Sequence, residues 1–144
     1  MTKHITIVLL VNLLWIPEIS AQESPKSIAE KFFFYLKDDN FQQALESLPV
    51  SSRIKNDTAF SENLLKKLIA NRNSLGEYCG FELIEQNEVS ESYIIVEYLV
   101  KYMDAPRHIR FIFYKPKNIW QVNQVSMMTA ETQNNVPRRP ARRL

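Results

Sequence analysis

The chain has 144 residues, 45% hydrophobic and 24% charged, a length and balance that suit one globular domain. Two glycines and one cysteine exclude glycine-rich phosphate loops, dinucleotide fingerprints, an internal disulfide framework and paired-cysteine zinc or redox sites. The net charge of +2 is uneven: zero over 1–21, −1 over 22–130 and +3 over 131–144. The basicity therefore belongs to an end segment, and a nucleic-acid-binding domain is not indicated.

Lys3 and His4 precede an apolar run from Ile5 to Ile16, broken by Pro17 and followed by Ile19-Ser20-Ala21. This is the three-part layout of a cleavable secretory signal, with cleavage expected between Ala21 and Gln22. The run is too short for a membrane span, which needs about 20 residues. The expected organisation is a signal peptide over 1–21, an α+β domain over 22–130 and a disordered Arg/Pro-rich tail over 131–144. The mature chain is then periplasmic or secreted, with no transmembrane span.

Ser24-Pro25 is a helix start, a hydroxyl cap followed by proline in the first turn. Ile28, Phe32, Tyr35 and Leu36 recur at helical spacing, and Asp38-Asp39-Asn40 ends the segment. A second helix carries Phe41, Ala44, Leu45 and Leu48 on one face and stops at Pro49. After the polar stretch Ser51–Asp57, a third carries Phe60, Leu64, Leu68 and Leu75, joined by Leu65 and Ile69, and closes at Gly76–Gly80. Asn56-Asp57-Thr58 matches a glycosylation acceptor, but a helix cap from Asp57 or Thr58 explains it equally well.

From Phe81 the period falls to two. Strands are predicted over 81–89, 92–103, 107–116 and 119–128, with turns at Ser90-Glu91, Asp104-Ala105-Pro106 and Lys117-Asn118. No helix intervenes, so the strands form an antiparallel meander. The predicted fold class is α+β, three N-terminal helices packed on a four-stranded meander. Matching faces pairs Tyr98 with Phe113, Val100 with Phe111 and Tyr102 with Ile109. Extending the alternation outward turns Trp120, Val122, Gln124 and Ser126 inward on strand four, and Phe81, Leu83, Glu85 and Val89 inward on strand one.

The order of elements resembles NTF2-like (cystatin-like, SnoaL-like) domains. The resemblance lies in Phe32–Ala44 (FFFYLKDDNFQQA), in the long third helix running into Gly80-Phe81, and in Trp120-Gln121-Val122. It covers about residues 25–128. It implies a cone with a curved sheet, a cavity between helices and sheet, and pairing of copies through the sheet, but no particular activity.

The inward polar residues suggest a pocket edged by Tyr35, Tyr98, Tyr102, Phe111 and Trp120, with Gln124 and Ser126 as polar handles and Glu85 as an acid whose pKa burial would raise. The alternative reading makes the aromatics plain core and Glu85 a solvated residue. On the outer face Tyr93, Ile95, Leu99, Met103, Ile112 and Tyr114 form an apolar surface suited to a homodimer or another subunit. His108 is expected on the outer surface without metal-ligand partners, and Cys79 as a small buried hydrophobe without a catalytic base. No catalytic set, metal site or cofactor is expected. The preferred function is a non-catalytic module binding a small apolar ligand or a protein partner. The alternatives are a cavity enzyme of isomerase, hydratase or hydrolase type, and attachment of the arginine tail to an anionic surface.

Overall fold

A computed structural model describes residues 22–129, so the expected signal peptide and arginine tail lie outside the described residues. Four helical segments precede four strands: α1 (Pro25–Leu36), α2 (Phe41–Glu46), α3 (Ser52–Lys55), α4 (Thr58–Leu75), β1 (Tyr78–Ser90), β2 (Tyr93–Tyr102), β3 (Arg107–Tyr114) and β4 (Gln121–Thr129). The strands form one antiparallel sheet in the order β1-β2-β3-β4.

Local chemistry sets the helix boundaries. The Ser24 hydroxyl accepts the Ser27 N–H at 3.1 Å and Pro25 fills the first turn of α1. The chain reverses at Asp39, whose φ of 55° is in the left-handed region that Asp and Asn tolerate. The Asp39 carboxylate also accepts from Arg72 of α4 at 3.0 and 3.1 Å. Asp57 caps α4 by accepting the Ala59 N–H at 3.1 Å. The polar stretch before it is not a loop throughout. The Ser51 hydroxyl accepts the Ile54 N–H, closing the single turn α3 and burying Ile54. Four segments therefore replace the expected three. In α4, Leu64, Leu68 and Leu75 are buried as predicted, but Ile69 is exposed.

Helices and sheet share one apolar core. Ile28, Ala29, Phe32, Phe33 and Leu36 of α1 meet Val96, Tyr98, Val100, Ile109, Phe111, Phe113 and Val122 of the sheet. Phe32, Phe33, Tyr98 and Phe111 pack edge to face with centroids 4.9–6.2 Å apart.

The central pair keeps the predicted face but not the predicted register. Ile94 pairs with Phe113, Val96 with Phe111 and Tyr98 with Ile109, a slide of four residues from the expected pairing. The turn is centred on Met103-Asp104 rather than on Asp104-Ala105-Pro106. The Met103 N–H donates to the Glu77 carbonyl and the Asp104 N–H to that of Leu75, both at 3.0 Å, which anchors the hairpin on the start of β1. Gly76 allows the approach: its φ is 81°, and a Cβ there would meet the Met103 Cβ at 3.1 Å. An even slide preserves the faces, so the shared core survives the shift.

The outer strands depart further. In β4, Phe113 pairs with Val122 but Ile112 with Gln124, leaving Asn123 as an extra residue. In β1 the ladder breaks three times, with Cys79, Ile84 and Val89 as extra residues. Each insertion reverses the alternation beyond it.

Candidate functional site

The aromatics predicted to edge a pocket are packed in the core. Tyr98 and Phe111 are fully buried, Tyr102 and Trp120 nearly so, and Tyr35 is half-buried against the same core. These aromatics fill the layer between helices and sheet. Of four surface grooves among the described residues, none is lined by Tyr98, Tyr102, Phe111, Glu85, Gln124 or Ser126. Trp120 lines one of them, with Ile28 and Pro49, and Lys115 Nζ lies 4.8 Å from the centre of its ring.

The polar handles fall on the opposite side from the one expected. The Asn123 bulge turns Gln124 and Ser126 outward, opposite Ile112 and Arg110, where the Gln124 amide donates to the Ser126 hydroxyl at 2.9 Å. Val125 and Met127 take the inward positions instead and pack on the core. Glu85 is likewise displaced. The extra residue Ile84 puts it opposite Glu97 on the outer side, exposed to solvent. Val89, also expected inside, is an exposed bulge residue.

The outer face is built as rows across the sheet. Tyr93 pairs with Tyr114 and Ile95 with Ile112. Glu97 then pairs with Arg110, and Leu99 with His108. On β4 these rows continue to Gln121, Gln124, Ser126 and Met128. Apolar side chains thus flank a charged middle row. There Arg110 Nε and Nη2 both reach Glu97 Oε1 at 2.6 Å, with both side chains largely shielded. Tyr93, Ile95, Leu99 and Ile112 are half-buried and Tyr114 is exposed, yet none belongs to the core between helices and sheet. Met103, expected among them, lies past the end of β2 over Gly76 and is 68% exposed.

Two single residues depart from expectation. His108 is on the outer face as predicted but only 7% exposed, because Leu99 and Met128 flank it from both neighbouring strands. Cys79 is exposed rather than buried, as the extra residue of the first β1 bulge, and its thiol donates to the Glu77 carbonyl at 3.4 Å. That partner is a carbonyl, not a base that would activate the thiol. Among the described residues no group of three or more His, Cys, Asp or Glu side chains is arranged to hold a metal ion, and no helix is long and apolar enough to cross a membrane.

The perturbed titrations are those of buried phenols. Burial pushes the Tyr98 hydroxyl above the ordinary tyrosine range, and the Glu30 carboxylate adds to the effect. Burial does the same to Tyr78, with a contribution from Tyr102, and to Tyr102 itself, where Arg107 opposes the shift. The Tyr98 hydroxyl is buried without a hydrogen-bond partner. No family model matches the sequence, and no curated protein is significantly similar to it.

Proposed function

We propose that this chain is an exported, non-catalytic module of NTF2-like type that works by association, pairing with a second copy through the outer face of its sheet. The observation that carries this reading is the sidedness of the sheet. Ile95 and Ile112 on one side, and Leu99 and Met128 around His108 on the other, flank one shielded ion pair on a face that contributes nothing to the helix-side core. Sheet faces pack about 10 Å apart, and a stripe of β-branched and aromatic side chains around a paired charge suits that spacing. The charged row disfavours off-register stacking, since a shifted partner would lay apolar side chains on Arg110 and Glu97.

The order of helices followed by a meander supports the NTF2-like part of the reading. The filled layer between helices and sheet supports association over capture of a small ligand, and the outward Glu85 offers no support for an acid–base enzyme. The N-terminal pattern supports export, and protein recovered from the periplasm or medium is expected to begin at Gln22.

Light scattering on the full chain across a concentration series tests the association. The expected mass is twice that of the chain at high micromolar concentration. Ile112→Lys should shift the equilibrium at least tenfold toward monomer while leaving the thermal transition in place. A wild-type chain that stays monomeric, or an unchanged dimer in Ile112→Lys, would overturn the reading.

A further inference from the structure

Charge on the outer face is arranged unevenly from strand to strand. One row crosses the sheet as Glu85, Glu97, Arg110 and Ser126, on β1 to β4 in turn. Its charges read acid, acid, base, none. Within the chain Arg110 Nη2 lies 2.6 Å from Glu97 Oε1, with side-chain exposures of 27% and 12%. The pair is thus largely shielded in a single copy, and a second sheet laid over it has little further water to remove. Glu85 is exposed.

Two copies stacked face to face on the same surface are related by a two-fold axis lying in the plane between them. The position of that axis decides which charges meet. Run across the strands along the charged row, it sets Arg110 on Arg110 and Glu97 on Glu97. Run along β3 or along β2, it repeats one of those overlaps. Between β1 and β2 it sets Glu85 on Glu97, two acids, and between β3 and β4 it sets Arg110 on Ser126. Like charges brought together in a closed interface are strongly unfavourable. A single axis in that plane exchanges positions 97 and 110. It is the perpendicular bisector of the line joining them, which runs along the strands midway between β2 and β3.

We infer, resting on the pairing of copies proposed above, that the two chains meet about this axis, so that Glu97 and Arg110 of each face Arg110 and Glu97 of the other. Four charges then form one neutral cluster inside the interface. The same axis keeps every row on its own level. Ile95 lies over Ile112 of the second copy, and Leu99 over His108. Glu85 lies over Ser126, away from the axis. Aligned sheets cross at about 30°, which holds the centre in contact and opens the corners, so Glu85 stays in water.

Exchanging the two residues tests the axis and keeps an ion pair inside each chain. The full chain carrying both Glu97→Arg and Arg110→Glu should fold and pair with itself as the wild type does. It should not pair with the wild type, because acid would then face acid and base face base. The two chains have equal mass, so one is isotopically labelled before they are mixed in equal amounts and read by native mass spectrometry. Mixed dimers should make up less than about one tenth of all dimers, against about one half for random mixing. Two single variants cover the case in which circular dichroism shows the exchanged chain unfolded. Glu97→Gln and Arg110→Gln should each pair with themselves about tenfold more weakly than the wild type, since each leaves its remaining charges unmatched. Mixed together they regain one Glu97–Arg110 contact across the interface, and mixed dimers should predominate. Random mixing in either experiment, or an exchanged chain that folds but stays monomeric, would overturn the axis and leave the pairing of wild-type copies standing. A monomeric wild type would overturn both.

Discussion

The centre of the sheet and its edges obey different rules. In β2 and β3 every second side chain enters the core without interruption, and burial alternates residue by residue from Tyr93 to Tyr102. In β1 and β4 the alternation is broken by extra residues, and only the first part of β1 packs inward. A central strand is held from both sides, so an unpaired residue would break two ladders. An edge strand answers to one neighbour and absorbs insertions cheaply. Parity read from sequence is therefore a statement about central strands, and it degrades outward.

Large-to-small substitution should expose this difference most strongly. Phe111, at the crossing of β3 with α1, is fully buried and rings it with Phe32, Phe33 and Tyr98. Phe111→Ala is expected to cost about 3–5 kcal/mol in urea unfolding. Leu83 holds an inward position opposite Tyr98 on β1 but is 43% exposed. Leu83→Ala should cost under about 1 kcal/mol. Similar losses at the two sites would mean that β1 is as much a part of the core as β3.

What was legible follows the same division. The helix starts were carried by local chemistry, Ser24-Pro25 and Asp57, which act within a few residues and need no tertiary partner. The inner face of β2 and β3 was carried by Val96, Tyr98, Phe111 and Phe113, whose alternation is unbroken. The pairing itself slid by four because the hairpin anchor is remote: the carbonyls of Leu75 and Glu77 lie some thirty residues upstream of the N–H groups they hold. The inward positions expected for Gln124, Ser126 and Glu85 were lost at Asn123 and Ile84. Neither residue type marks a bulge, and each silently reversed the side chains that follow it. The burial of His108 was hidden for a related reason, since it depends on Leu99 and Met128 arriving from other strands.

Removing a bulge sharpens the comparison at smaller cost. If Asn123 is the extra residue, deleting it leaves Val122 followed by Gln124, with Val125 and Met127 still inward. The strand becomes regular and keeps its faces, and the loss in stability should be about 1 kcal/mol or less. If β4 instead alternated simply through Asn123, the same deletion would reverse every later side chain and unfold the sheet. Circular dichroism and thermal melting of the deletion variant separate the two cases.

The smallest effect lies at the centre, where packing is best and one polar atom is left over. The Tyr98 hydroxyl is buried without a partner, and Tyr98→Phe removes it while keeping the ring. Near neutral pH the variant should match or exceed the wild type by up to about 1 kcal/mol, because the unmet desolvation disappears. The alkaline limb carries the sharper sign. A phenol whose folded pKa lies above its unfolded value of about 10 resists ionisation only in the native state. Its contribution is intact below that value and is lost as pH rises toward the folded one, since unfolding then releases a proton. Wild-type stability should thus fall more steeply above pH ~10 than that of Tyr98→Phe. Tyr78 and Tyr102 keep the remaining slope, so the difference between the two curves isolates Tyr98. Parallel curves would mean that the hydroxyl meets solvent or a partner in the folded chain.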